Sequence, residues 1–314
     1  MKKMILDLDT GVDDALAISY ALGSPEVELI GITGTYGNVL MEQGVRNALA
    51  ITELLGHPEV KVYRGLDHSS TTDSFQVLEI SSFIHGQNGI GEAVIADSTR
   101  DAEDTPAVDF IIDAAKTYGK DLVYVPTGPL TNLDAAIARA PEIVDEIGRV
   151  VLMGGALTVP GNVNAWTEAN ISQDPDAANR VFRSGIPATM VGLDVTLQTL
   201  LTYKETQRWR DLGTPAGAFL ADMTDFYIKA YETTAPHLGG CGIGKGHHQE
   251  LVQIHRMALI GHHPYDTLHQ HGSLPAPGGG RDQQVPVPAV DHPLLIGCPC
   301  HRHHTPSFLS GCAS

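Results

Sequence analysis

Along the first 243 residues, short apolar runs alternate with stretches whose apolar positions recur at helical spacing. MKKMILDLD reads as a strand, and DDALAISYAL follows with apolar residues at 15, 16, 18 and 22, one side of a helix. VELIGITGTYG reads as a second strand ending in glycines. Residues 44–55 read as a helix, VKVYRG as a strand, 107–118 as a helix, and DLVYVPTGPL as a strand running into a Gly-Pro turn. ALTVPG and IPATMVGLDVT are strand-like, and 216–231 is helical. The alternation predicts βαβ units: an α/β fold with a mostly parallel central sheet and helices on both faces, Rossmann-like in plan. Right-handed crossovers put every strand's C-terminal end on one edge, and ligands of such sheets bind outside that edge.

After Ile243 the rhythm stops. Eleven of the 15 histidines and three of the four cysteines fall there, with a PAPGGG stretch. CPCHRHH has no second ligand pair at zinc-site spacing. The expectation is two parts: an α/β domain over 1–243, and an aberrant or disordered His/Pro/Cys-rich tail over 244–314, such as a shifted reading frame produces.

The composition is globular, with 42% hydrophobic and 18% charged residues among 314. A net charge of −17 argues against nucleic-acid and anionic-membrane partners, which need a basic face. It leaves room for a small neutral substrate and a divalent cation. The N-terminal apolar run breaks at Asp7, so no signal-peptide core is expected, and there is no apolar run long enough for a membrane helix. The expected location is cytoplasmic.

ILDLDTGVDDALAI carries the chemistry. Asp7 and Asp9 stand two apart at the end of a strand, a spacing that puts both carboxylates on one face. Asp13 and Asp14 follow a Thr10-Gly11 turn and open a helix, where the dipole favours acids. A capped helix with solvated acids explains one or two of these aspartates. Four within eight residues repel one another at a sheet edge, and a hard cation offsets that; calcium prefers such oxygen-rich sites.

The same segment resembles the D-x-D-x-G-x-D-D-A signature of the inosine-uridine nucleoside hydrolase family. TYGNV (35–39), FIHGQNGIG (83–91), PTGPLTNL (126–133), VLMGGA (151–156) and GNVNAWTEANISQDPDAA (161–178) match its further motifs in order. The resemblance implies a calcium-dependent hydrolase that splits ribonucleosides into ribose and base with a calcium-bound water, and a homodimer or homotetramer. It implies that Asp9 and Asp14 ligate calcium with the Thr127 carbonyl, that Asp9 is the general base, and that Asp7 orients them from behind. It places Asp13 on a ribose hydroxyl, Asn38, Asn162, Glu168 and Asn170 around the sugar, Met153 against the ribose, and His85 toward the base or at the mouth of the site. Asn38 and Asn162 also suit plain turns, Glu168 and Asn170 a solvated face, and His85 a loop. Tyr227 and Tyr231 share a helical face, facing either the base or the core.

The resemblance also implies a His-Asp-Pro segment after FYIKAYETTAPHLGGCGI, where this chain has Gly244, Lys245 and Gly246. The lost aspartate would be a calcium ligand, so weak or absent activity is expected. Asp291-His292-Pro293 lies too late to replace it. Two alternatives stay open: a relative that binds ribosides or calcium without turnover, and a haloacid-dehalogenase-like phosphatase with Asp7 as nucleophile and magnesium.

Overall fold

The structure, a computed structural model, describes residues 1–199 and 201–234. The tail expected over 244–314 and the Asp291-His292-Pro293 segment lie outside the described residues.

Six strands, β1 (Lys2–Leu8), β2 (Val27–Gly34), β3 (Val62–Tyr63), β4 (Leu122–Pro126), β5 (Arg149–Met153) and β6 (Ala188–Val191), form one sheet in the order β3-β2-β1-β4-β5-β6. Every pairing is parallel. The helices are α1 (Val12–Gly23), α2 (Met41–Leu54), α3 (Glu79–His85), α4 (Ala107–Tyr118), α5 (Thr131–Arg139), α6 (Ile143–Glu146), α7 (Ala169–Gln173), α8 (Pro175–Arg183), α9 (Leu193–Thr196), α10 (Tyr203–Arg210) and α11 (Pro215–Thr234). The expected parallel α/β fold is therefore observed.

The two faces of the sheet are read directly from β1. Met4, Leu6 and Leu8 enter an apolar cluster with residues of α1, α2 and α11. Ile5, on the opposite face, joins a second cluster built from α4, α5, α6 and α8. Period-two alternation in a strand buried on both sides yields this double core. The chain starts β2 and β4 on opposite sides of β1, so the topological switch point, where crevices of such sheets open, lies between β1 and β4.

Local signals fix the helix starts nearest that edge. Asp14, in the first turn of α1, reaches back to accept the Gly11 N–H at 2.7 Å, and with Asp13 it suits the positive end of the helix. Asp174 caps α8 by accepting from Ala177 N, with Pro175 at the first helical position.

Two expected strands are corrected. ALTVPG forms none: Leu157 is exposed, and residues 156–161 run as turns and irregular chain beyond the end of β5. In IPATMVGLDVT only Ala188–Val191 is strand, and Leu193–Thr196 turns into α9.

Candidate active site

Four turns meet at the C-terminal edge of the sheet. Asp9 leaves β1, Thr35 to Asn38 leave β2, Thr127 and Gly128 leave β4, and Gly154-Gly155 leave β5. Asp9, Asp14 and Thr10 are fully buried.

Asp9 is gripped by the turn after β2. Its Oδ2 accepts the Asn38 N–H at 2.7 Å. Gly37 allows the approach, because a Cβ there would fall 2.0 Å from Asp9 Oδ2. Asp9 Oδ1 is buried with no donor. Burial, then the charges of Asp14 and Asp13, push the Asp9 carboxyl well above its ordinary range. Burial and Asp13 push Asp14 up to about 7. Asp14 also accepts from Thr127 Oγ1 at 2.6 Å.

Asp7 is not part of that group. It lies on the face of β1 opposite Leu6 and Leu8, level with Thr33 of β2 and Pro126 of β4. Its Oδ1 accepts from Thr33 Oγ1 at 2.6 Å and Asn132 Nδ2 at 2.8 Å. Burial raises its pKa against those donors. The Tyr124 hydroxyl lies near it, yet neither that hydroxyl nor Asp7 Oδ2 completes a hydrogen bond. The expectation that Asp7 and Asp9 share a face is therefore corrected. The strand ends at Leu8, and Asp9 turns out of its alternation. Three aspartates converge, not four. Asp7 touches the site through its main chain, whose carbonyl accepts the Thr127 N–H at 2.9 Å. The Asp7 side chain is thus enclosed by Thr33, Asn132 and Tyr124.

His85 closes α3 and is buried. Its Nδ1 accepts the Val12 N–H at 3.2 Å. That nitrogen is therefore unprotonated, and the 3.6 Å approach of Asp13 Oδ1 is not an ion pair. Burial holds the His85 pKa down, with Asp13 partly opposing. The neutral ring carries its proton on Nε2. A Cβ on Gly11 would meet both His85 Nδ1 and Asn38 Nδ2, so these side chains crowd the same turn. Tyr227 packs on His85 at 5.0 Å between ring centroids and edge-on to Tyr231 at 5.1 Å. Asp13 Oδ1 is buried without a hydrogen bond.

On the other flank, Asn170 Nδ2 donates to the Thr127 carbonyl at 2.7 Å and lies 3.1 Å from Met153 Sδ. Glu168 and Asn170 are buried, so they are no solvated face. Glu168 accepts from Gly155 N, Asn170 N and Ile171 N, which caps α7, while burial raises its pKa. Asn162 is exposed, and its side chain accepts the Ala169 N–H.

Among the described residues no three His, Cys, Asp or Glu side chains gather into a metal-holding group. The donors present are two carboxylates and a main-chain carbonyl, all oxygen, which suit a hard cation. The unsatisfied Asp9 Oδ1 and the repulsion between Asp9 and Asp14 fit one bound between them. Asn132 and Thr33, which lock Asp7, were not singled out from sequence. Asn132 lay inside the PTGPLTNL motif, but nothing linear ties it to a residue 125 positions away.

The model of the inosine-uridine preferring nucleoside hydrolase family matches residues 4–255, past the boundary expected at 243. A pyrimidine-specific ribonucleoside hydrolase RihB of Escherichia coli (strain SE11) is 39% identical over 228 residues, 73% of this chain and 71% of that one. The solved structure of a purine-preferring ribonucleoside hydrolase from Gardnerella vaginalis is 76% identical, with a TM-score of 0.77 over 83% of this chain and 80% of that one. A plant nucleoside hydrolase, PpNRh1, is 32% identical at the same TM-score, over 83% of this chain and 79% of its own. With a match over most of its length and the acid cluster at the edge where such sheets bind ligands, this chain belongs to the inosine-uridine preferring nucleoside hydrolase family.

Proposed function

We propose that this chain hydrolyses the N-glycosidic bond of ribonucleosides to ribose and free base, with Ca2+ as its metal. The observation that carries the reading is the Asp9–Asp13–Asp14 group at the switch point of a parallel sheet, in which Asp9 Oδ1 and Asp13 Oδ1 are buried with no hydrogen-bond partner among the described residues. Asp9, Asp14 and the Thr127 carbonyl would hold the cation, and Asp7 would steady Thr127 through its main chain. A bound divalent cation supplies charge neutralisation and a water of lowered pKa.

The chain's own groups do the rest. Cleavage of a glycosidic bond passes through an oxocarbenium-like sugar, and the negative field of the three aspartates favours that charge. Asp9 takes the proton of the attacking water. Asp13 Oδ1 accepts from a ribose hydroxyl. Asn38, Asn162, Glu168 and Asn170 surround the sugar, with Met153 beneath it. The base departs toward His85, whose Nε2–H donates to it. The preferred base is a purine, on the strength of the 76% identity to the purine-preferring relative against 39% to the pyrimidine-specific one. Activity falls below that of relatives that carry His-Asp-Pro where this chain has Gly244-Lys245-Gly246.

The test is release of base from inosine, adenosine, uridine and cytidine, with Ca2+ and with chelator. Slow turnover, faster for the purine ribosides and abolished by chelator, is expected. Turnover indifferent to chelator would overturn the reading. Binding of ribosides without base release would make the chain a non-catalytic relative.

A further inference from the structure

The turn that grips Asp9 is itself held from behind. Tyr36 immediately precedes Gly37 and Asn38 and is fully buried, its ring 4.7 Å from that of Phe75. Its hydroxyl lies 3.0 Å from Thr131 Oγ1, at the start of α5. Thr131 Oγ1 donates to Asp174 Oδ2 at 2.8 Å. A hydroxyl has one hydrogen. With that of Thr131 committed to Asp174, Tyr36 donates to Thr131 at 3.0 Å, with the Gln173 carbonyl a longer second acceptor at 3.5 Å. The relay has one direction, from Tyr36 through Thr131 to Asp174.

Asp174 is fully buried and completely satisfied. Besides Thr131 it accepts from Ser70 N at 2.7 Å, Ser70 Oγ at 2.8 Å and Ala177 N at 3.0 Å. Its partners belong to three separate pieces of chain: α5, α8, and the loop between β3 and α3. A buried polar chain with every member paired is rigid, because breaking one link strands the others. Main-chain bonds from Thr35 N to the Leu8 carbonyl and from Gly37 N to the Val39 carbonyl also hold the turn, and since Gly37 has no side chain, Tyr36 supplies its side-chain anchor.

We propose that Tyr36 is a positioning residue: through its buried hydroxyl relay to Thr131 and Asp174 it fixes the Gly37-Asn38 turn against Asp9, and so ties the docking of the loop at Ser70 to the order of the site. This rests on the reading of Asp9 as metal ligand and base. Tyr36 touches neither the substrate nor the cation. It acts only through the turn.

Tyr36→Phe removes the hydroxyl and leaves Thr131 paired with Asp174. The expected result is a drop of about tenfold both in Ca2+ affinity, measured by titration calorimetry, and in kcat, the size of loss typical when support behind a metal ligand is removed. The KM for inosine should stay near the wild-type value. Thr131→Val should reproduce the effect, and Thr131→Ser, which keeps the hydroxyl, should restore it. The double variant Tyr36→Phe/Thr131→Val should be no worse than the worse single variant, because both break one chain. Unchanged Ca2+ affinity and kcat beside a lowered Tm would make the relay a fold support only and overturn the proposal. Additive losses in the double variant would overturn it too. If the wild-type chain releases no base, the proposed activity fails by itself, and the Ca2+ titration still decides the role of Tyr36.

Discussion

Among single residues, Asp9 combines full burial, one oxygen held by Asn38 N and one oxygen without a donor. An acid in that state suits proton transfer and cation binding. Asp9→Asn keeps the shape and removes the charge, and it should slow base release by about 10²–10⁴-fold, the range for loss of a positioned base. Asp7 makes a useful contrast. Asp7→Ala removes the short acceptor of the Thr33 hydroxyl and of one Asn132 N–H, leaving them the longer bonds to the Leu6 and Gly34 carbonyls, which should cost about 1–3 kcal/mol in urea unfolding. Of the acids, the sequence spacing identified the group but not its division. Strand alternation predicted Asp7 beside Asp9, and only the turn at residue 9 separates them.

For the elements, what matters is how the turns are pinned. His85 reaches the site because the loop after α3 is wedged against α11. Gly91 has a φ of 64°, and a Cβ there would lie 2.7 Å from the Met223 carbonyl. Gly91→Ala should destabilise the fold by about 1–3 kcal/mol, since an L residue is strained in that conformation. It should also slow the release of purine bases, because His85 moves with the loop. Thermal melts beside inosine kinetics check both. The long helices and β1, β2 and β4 were legible from periodicity, because each has a buried apolar side. ALTVPG was not, because strand propensity is set by packing against neighbours, and Leu157 of this stretch is left exposed. Glu168 and Asn170 were legible as candidates through the motif, while their burial was not.

On the scale of the whole molecule, burial of the acids and then their mutual repulsion make stability depend on pH and metal. The folded pKa of Asp14, at about 7, lies above its ordinary 3.8. Protonation therefore favours the folded state: that stability is full below the ordinary value and is lost as pH rises through about 7. Asp9, raised well above its ordinary value by burial and then by Asp14 and Asp13, adds in the same direction. In chelator, the Tm should fall between pH 5.5 and 8. Saturating Ca2+ should raise the Tm by more at pH 8 than at 5.5, because the cation competes with protons for these carboxylates. A Tm gap between the two conditions that does not widen with pH would contradict the shared cation.

The sequence by itself determined the class of the fold, through the alternation of strand and helix periods, and the identity of the acid cluster, through four aspartates within eight residues. It also carried the family, through motifs in fixed order. Tertiary structure alone decided which acids meet, which nitrogen of His85 carries the proton, and that Tyr36, Thr131 and Asp174 form one relay. The reason is distance along the chain. Thr127 is 113 residues from Asp14, and Asn132 is 125 from Asp7. Local patterning fixes the direction of a side chain within its own element, whereas its partners are set by the order in which the strands pair.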